Sequence, residues 1–311
     1  MTFTDCIREN PCILMEGALG ERLKREYKIS FDENIAMAGL VRSLRGRAAL
    51  YELWKGYLDI AKEYGMPFIA TTPTRRANRA RIAASEFDEG VIEDNVKLLR
   101  SLQEAEGAEM YVGGLVGCKG DAYTAEGALS EDEAYEFHKW TAEKFRDAGV
   151  DFVFAAIMPT LPEAAGLARA VSDVGLPYII SFTIQRDGRL IDGTSIADAI
   201  SYIDGHVENK PVCYMANCVH PRILYEALDQ SFNRTPEVLE RFRGIQANTS
   251  PLSYVELDNA VDLKSSEPEA LAEDMVRLME VADIKIWGGC CGTDDRHMRC
   301  VAQKVKEKIR L

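Results

Sequence analysis

The chain has 311 residues, 47% of them hydrophobic, enough to bury a sizeable core without disulfide support. Its 37 basic against 50 acidic residues leave a net charge of −13, which argues against nucleic-acid or anionic-membrane partners, since both call for a positive field. No apolar run reaches the ~18–20 residues that span a bilayer. The opening MTFTDCIRENPC also lacks the basic-then-apolar order of a signal peptide, so a cytoplasmic protein is expected.

Along the chain, short apolar runs alternate with longer amphipathic stretches. Strands are predicted at Ile13–Glu16, Pro67–Thr71, Met110–Gly113, Asp151–Ala155, Tyr178–Phe182, Val212–Ala216, Gly244–Ala247 and Ile284–Trp287. Helices are predicted between them at Leu50–Tyr64, Gly90–Glu106, Ser130–Ala148, Leu161–Val174, Ser195–Asn209, Pro221–Ser231 and Pro268–Val281, and a further one closes the chain at Asp295–Ile309. Ser130 with Glu133 forms a capping-box pattern at a helix start. Gly65, Gly149 and Gly175 stand where helical runs end and a left-handed residue is needed.

Apolar strands each followed by a helix imply parallel strands covered on their outer face. Eight such units at this length favour a single-domain α/β fold, a closed (β/α)8 TIM barrel spanning 1–311 with its core from 11 to 309, over an open doubly wound sheet. In a barrel of this kind the chemistry gathers where strands end. Those ends carry Glu16-Gly17, Thr71-Thr72, Gly113-Gly114, Ala156, Phe182-Thr183, Asn217-Cys218, Asn248 and Gly288–Gly292.

Two of these ends carry cysteine: AsnCysVal at 217–219 and GlyGlyCysCysGly at 288–292. Adjacent cysteines are poorly placed to bond each other. Flanking glycines would let both reach one metal, and a third thiolate from Cys218 would make a three-sulfur site with a free fourth position, the arrangement of catalytic zinc. A substrate thiol in that position would be deprotonated at neutral pH and ready to attack an activated methyl group. From spacing alone, a redox or packing role for the vicinal pair is equally open. Of the four histidines, His138 and His206 fall in helical patterns, and His220, two residues past Cys218, is the one competing ligand candidate. Cys6, Cys12, Cys118, Cys213 and Cys300 have no partner pattern and read as structural.

The motifs together resemble the homocysteine S-methyltransferase family. TrpGlyGlyCysCysGlyThr at 287–293, with His297 after it, is similar to the family's most specific motif, and AsnCys at 217–218 to its other metal-ligand segment. The segments 13–20, 113–123 and 182–194 are similar to further family segments, so the resemblance runs from Pro11 to Met298. It implies a barrel with zinc on Cys218, Cys290 and Cys291, and methyl transfer from a methylated nitrogen, sulfur or folate donor to homocysteine, giving methionine. A different thiol acceptor, a corrinoid-borne methyl, or a zinc-binding member without turnover would fit the same metal motif.

Two departures stand out. The family's first strand usually ends in Asp-Gly, whereas this chain has Glu16-Gly17. Its fourth strand usually ends with a glutamate beside the acceptor's amine, and Ala156 occupies that place. Loss of that carboxylate removes a charge-assisted hydrogen bond of about 1.5–3 kcal/mol, so weak use of homocysteine is expected. Glu16, Gly17, Thr72, Asn217 and Asn248 are candidate substrate-binding residues, and Arg75 and Arg76, directly after the second strand, candidate anion-binding ones. Gly17, Gly20, Gly113 and Gly114 are expected to let substrate approach the backbone, and Trp54, Trp140 and Trp287 to lie in the core.

Overall fold

Eight apolar strands lie parallel and close on themselves in the order of the chain. The computed structural model describes residues 1–250 and 266–309. The strands are β1 (Ile13–Met15), β2 (Phe68–Thr71), β3 (Met110–Gly117), β4 (Phe152–Met158), β5 (Tyr178–Phe182), β6 (Cys213–Val219), β7 (Phe242–Ala247) and β8 (Ile286–Gly289). Closure is made by β1 against β8, with Ile13 opposite Ile286 and Leu14 opposite Trp287. The closed alternative is therefore the observed one, a (β/α)8 barrel. Among the described residues, no helix is long and apolar enough to cross a membrane.

Alternation along each strand divides the core in two. Leu14, Phe68, Tyr178, Phe182 and Trp287 face outward, where they pack with Trp54 and Phe145 of the covering helices. Ile13, Met15, Ile69, Phe152, Phe154, Ile179, Met215 and Ile286 fill the barrel. Helix ends follow the sequence signals. The Ser130–Glu133 capping box opens the helix Glu131–Ala148, and Gly149 and Gly175 take φ values of 75° and 80° at two helix ends.

The N-terminal segment, read from sequence only for what it is not, forms a helix at Phe3–Glu9 held by a Thr2–Asp5 capping box. Phe3 stacks on Phe152 with ring centroids 3.9 Å apart and meets the edge of Tyr111 at 5.7 Å. This helix joins the inner cluster through Phe3, Cys6 and Ile7, so its apolar face packs on the barrel core. Gly20–Arg25, Arg79–Ala83 and Pro236–Arg241 are further short helices that the periodicity did not reveal, since six or fewer residues carry too little pattern.

β3, β4, β6 and β7 run longer than expected, β7 at its start and the others at their ends. β3 continues to Gly117, so Gly113 and Gly114 are mid-strand residues and not the substrate-approach positions expected of them. A Cβ on Gly113 would lie 2.5 Å from the Phe152 ring, and one on Gly114 2.5 Å from the Phe145 ring, so these glycines make room for an aromatic ring on each face of the sheet. β4 and β6 also pass beyond their expected ends, each through an irregularity in pairing: between Ala155 and Met158, and between Asn217 and Val219. Extra residues in a strand re-aim its side chains, and that is where the site begins.

Gly114→Ala should cost about 1–3 kcal/mol of stability, because the Phe145 ring is fully buried and has no room to withdraw. Urea unfolding of the two proteins measures this; equal midpoints would mean that the ring is not held as described.

Candidate functional site

Cys218 and the pair Cys290-Cys291 come from β6 and from the turn after β8, with β7 between them. The three Sγ atoms lie within 4.8 Å of one another at the carboxyl ends of the strands. Cys290 and Cys291 have their sulfurs 4.0 Å apart, and Cys218 and Cys290 are paired sulfur to sulfur with their Cα atoms 5.6 Å apart. Cys218 and Cys290 are half-buried and Cys291 is exposed, so small molecules have access to the cluster.

The placement of Cys218 depends on a strained backbone. It takes φ 56°, as Ile157 takes φ 50°, in the pairing irregularities of β6 and β4. A left-handed conformation costs a non-glycine residue roughly 1–2 kcal/mol and persists where the surroundings over-determine it. Here Asn217 does so. Its Oδ1 accepts from the Ile157 amide at 2.9 Å and from the Ser181 hydroxyl at 2.7 Å, tying β4, β5 and β6 together beneath the cysteine.

Each cysteine carbonyl is also held. Cys218 O accepts from Asn248 Nδ2 at 2.9 Å, Cys290 O from the Thr293 hydroxyl at 2.7 Å, and Cys291 O from the Thr249 amide at 3.1 Å. Thr293 in turn accepts from the Ala18 amide at 3.0 Å, joining the β1 loop to the β8 turn. Gly292 has φ 83°, and a Cβ there would meet Thr249 Oγ1 at 2.0 Å, so only glycine completes this turn. Thr249, Thr293 and Glu21, which accepts from the Gly292 amide at 2.6 Å, were not singled out from sequence. The Thr that ends the cysteine motif was the one available signal.

The donor set suits a soft divalent metal. Three cysteine sulfurs converge from two chain segments and, once reduced, could hold such a metal with one position left for a ligand. His220 does not join them. Its Nδ1 accepts from the Arg222 amide at the start of a helix, and burial pulls its pKa down to about 4, keeping it neutral. His297 is engaged with Asp294 at 2.8 Å and with the Ser266 carbonyl at 3.0 Å, bracing the helix after the motif. Cys291 is the exposed member of the three cysteines. Its thiol is pushed up to about 11, first by desolvation and then by Glu21, while Arg75 and Arg25 act in the opposite sense.

The other candidate residues divide between those turned inward and those left open. Glu16 is buried, and its carboxylate accepts from the Thr71 amide at 3.0 Å and from the Thr71 hydroxyl. Gly17 lies against the Tyr57 ring, with no room for a Cβ. Thr72 accepts from the Leu115 amide at 3.1 Å and bonds Thr74 at 2.7 Å, pinning the β2 turn to β3. Ala156 lies buried inside the β4 irregularity beside Ile157. Arg75 is exposed and Arg76 half-buried at the end of β2.

The sequence model of the homocysteine S-methyltransferase family matches residues 13–305. The chain belongs to this family. The homocysteine S-methyltransferase YbgG of Bacillus subtilis is 26% identical over 193 residues, covering 59% of this chain and 56% of that relative. The homocysteine S-methyltransferase of Escherichia coli is 26% identical over 247 residues, covering 72% of this family member and 75% of the relative. In fold, the homocysteine methyltransferase MmuM from Escherichia coli in its metallated form superimposes with a TM-score of 0.75 at 20% identity, over 96% of this chain and 98% of its own. Its oxidized form gives 0.75 at 21% identity.

Burial pushes the Glu16 carboxyl up to about 8, with the Thr71 hydrogen bonds acting the other way. The folded chain thus keeps this proton over the window from its ordinary value of 4.5 to about 8. The resulting stability is full below that window and is lost as pH rises through it. Glu16→Gln, which cannot ionise, should remove a loss on the order of a few kcal/mol between pH 4.5 and 8. Denaturant midpoints of both proteins across that range test this, and parallel curves would rule it out.

Proposed function

We propose that this family member is a zinc-dependent S-methyltransferase that moves a methyl group from a methylated small molecule to a thiol. One observation carries the reading: three cysteine sulfurs within 4.8 Å of one another, accessible at the carboxyl end of the barrel. Cys218, Cys290 and Cys291 would hold the metal. Zinc there would bring an incoming thiol to its thiolate form at neutral pH.

The chain's own residues set the geometry. Asn217, bonded to Ile157 and Ser181, anchors β6 just before Cys218, and Asn248, Thr293 and Thr249 hold the three cysteine carbonyls, so the sulfurs are arranged before substrate arrives. In the transfer, the acceptor sulfur bonds to the methyl carbon as that carbon's bond to the donor breaks, the electron pair leaving with the donor. Methylated nitrogen or sulfur compounds, folates and corrinoids all supply such a carbon. Homocysteine, the substrate in the names of the relatives, is read here as a weak acceptor, because Ala156 offers its ammonium no carboxylate.

Reduced protein should take up one zinc per chain, and Cys218→Ala, Cys290→Ala or Cys291→Ala should each lose most of it; full retention in all three would refute the ligand set. Chelation should abolish methyl transfer while leaving most of the far-ultraviolet circular dichroism, since a core of this size does not depend on one ion. Global unfolding on chelation would show instead that the metal is structural.

A further inference from the structure

We propose that the acceptor is a thiol carrying a carboxylate or sulfonate and no ammonium, and that Arg75 and Arg76 bind this anionic group. The proposal rests on the methyltransferase reading and narrows its acceptor.

The ends of β1 and β4 have little to offer a cation. Glu16 turns its carboxylate to Thr71 and is desolvated to the point of holding its proton near neutral pH. The β4 end presents Ala156, Ile157 and Met158, all buried and apolar. An ammonium brought to the β4 end would lose water and find no charged partner there, and the Glu21 carboxylate beyond β1 is already engaged by the Gly292 amide at 2.6 Å.

The end of β2 has the opposite character. Arg75 and Arg76 are followed by Arg79 and Arg81. Among the described residues, neither Arg75 nor Arg76 has a carboxylate within ion-pair distance. Elsewhere in the molecule Arg22, Arg100, Arg169 and Arg241 each hold a carboxylate at 2.6–3.0 Å. Arg76 is half-buried, and burial, then Arg81 and Arg75, hold its pKa below the usual arginine range. Guanidinium groups crowded together with no ion-paired carboxylate among the described residues form a place that an anion relieves, and their planar fork matches carboxylate and sulfonate oxygens.

Arg75 also stands on a fixed base at the carboxyl end of β3. Thr74 donates to the Leu115 carbonyl at 2.9 Å, and the Gly117 amide donates to the Arg75 carbonyl at 3.2 Å. The Arg75 stem lies over Gly117, where a Cβ would come within 2.5 Å of its Cγ. β1 lies between β2 and β8, so Arg75 after β2 and the Cys290-Cys291 turn after β8 share the carboxyl rim of the barrel. Asp121, in the loop after β3, is committed to its own loop, accepting from the Tyr123 and Thr124 amides at 2.8 Å each. One molecule with sulfur at one end and an anion at the other would therefore satisfy both groups.

The test is calorimetric binding of four thiols to the zinc-loaded protein: 4-mercaptobutanoate, 2-mercaptoethanesulfonate, homocysteine and cysteamine. The first differs from homocysteine only in lacking the ammonium. It should bind roughly ten-fold or more tighter than homocysteine, and cysteamine should be the weakest. Arg75→Gln and Arg76→Gln should each weaken the two anionic thiols by roughly 10- to 100-fold, the loss of one charge-assisted contact, and leave cysteamine unchanged. Arg75→Lys should retain part of the affinity. Homocysteine binding as well as 4-mercaptobutanoate, or anionic thiols indifferent to both arginine substitutions, overturns the proposal. So does an effect of those substitutions confined to the methyl donor, which would assign the arginines to that molecule. If thiols bind regardless of charge, the methyltransferase reading stands without this acceptor; if no thiol binds the zinc-loaded protein, both fail.

Discussion

Asn217 makes the hydrogen bonds on which the arrangement of the thiol cluster depends. Its side-chain oxygen takes two donors, one from the backbone of Ile157 and one from Ser181, and so locks together three strands at the point where two of them depart from regular pairing. A buried oxygen with two donors is costly to leave unmatched, which gives the junction its rigidity. Cys218 follows it directly and takes a backbone conformation that a regular strand would not allow. The sulfur is thereby carried to the Cys290-Cys291 turn, across the intervening strand.

A second constraint acts through the glycines of the β8 turn. Gly292 has the positive φ and close approach to Thr249 that only glycine tolerates. Around it, the Ala18 and Thr249 amides and the Glu21 carboxylate, from the segments after β1 and β7, take up the turn's polar groups. The cysteines are thus held by neighbours from several strand ends, as expected where a preformed site sits on a barrel rim. The N-terminal helix packs Phe3, Cys6 and Ile7 into the inner core of the same barrel.

Most of the fold was legible in the amino-acid pattern. The helices Gly90–Glu106, Leu161–Val174 and Asp295–Ile309 have the bounds that periodicity and caps predict. Long amphipathic segments repeat their signal over several turns, so local pattern and tertiary packing agree. β3, β4 and β6 were read short for a common reason. In each, residue type does not show where the ladder stops: paired glycines look like a strand end, Asn217-Cys218 interrupts an apolar run, and nothing in Ala156-Ile157 marks the irregular pairing that carries β4 on. The three-cysteine cluster was legible as well, because strand-end position and the GlyGlyCysCysGly motif point to the same place.

The sequence alone determined that the chain alternates strands with helices, that Cys218, Cys290 and Cys291 fall at strand ends, that Glu16 and Ala156 depart from the family pattern, and that Arg75-Arg76 follow the second strand. These are properties of residue type and spacing, which local chemistry expresses. The tertiary structure decided how each polar side chain is used. Glu16, Thr72 and Asn217 were all ligand candidates by position, and in the folded chain Thr71, Leu115 and Ile157 hydrogen-bond to them, while Arg75 and Arg76 find no carboxylate among the described residues. Such partners come from segments distant in the chain, and only closure of the barrel brings them within hydrogen-bonding reach.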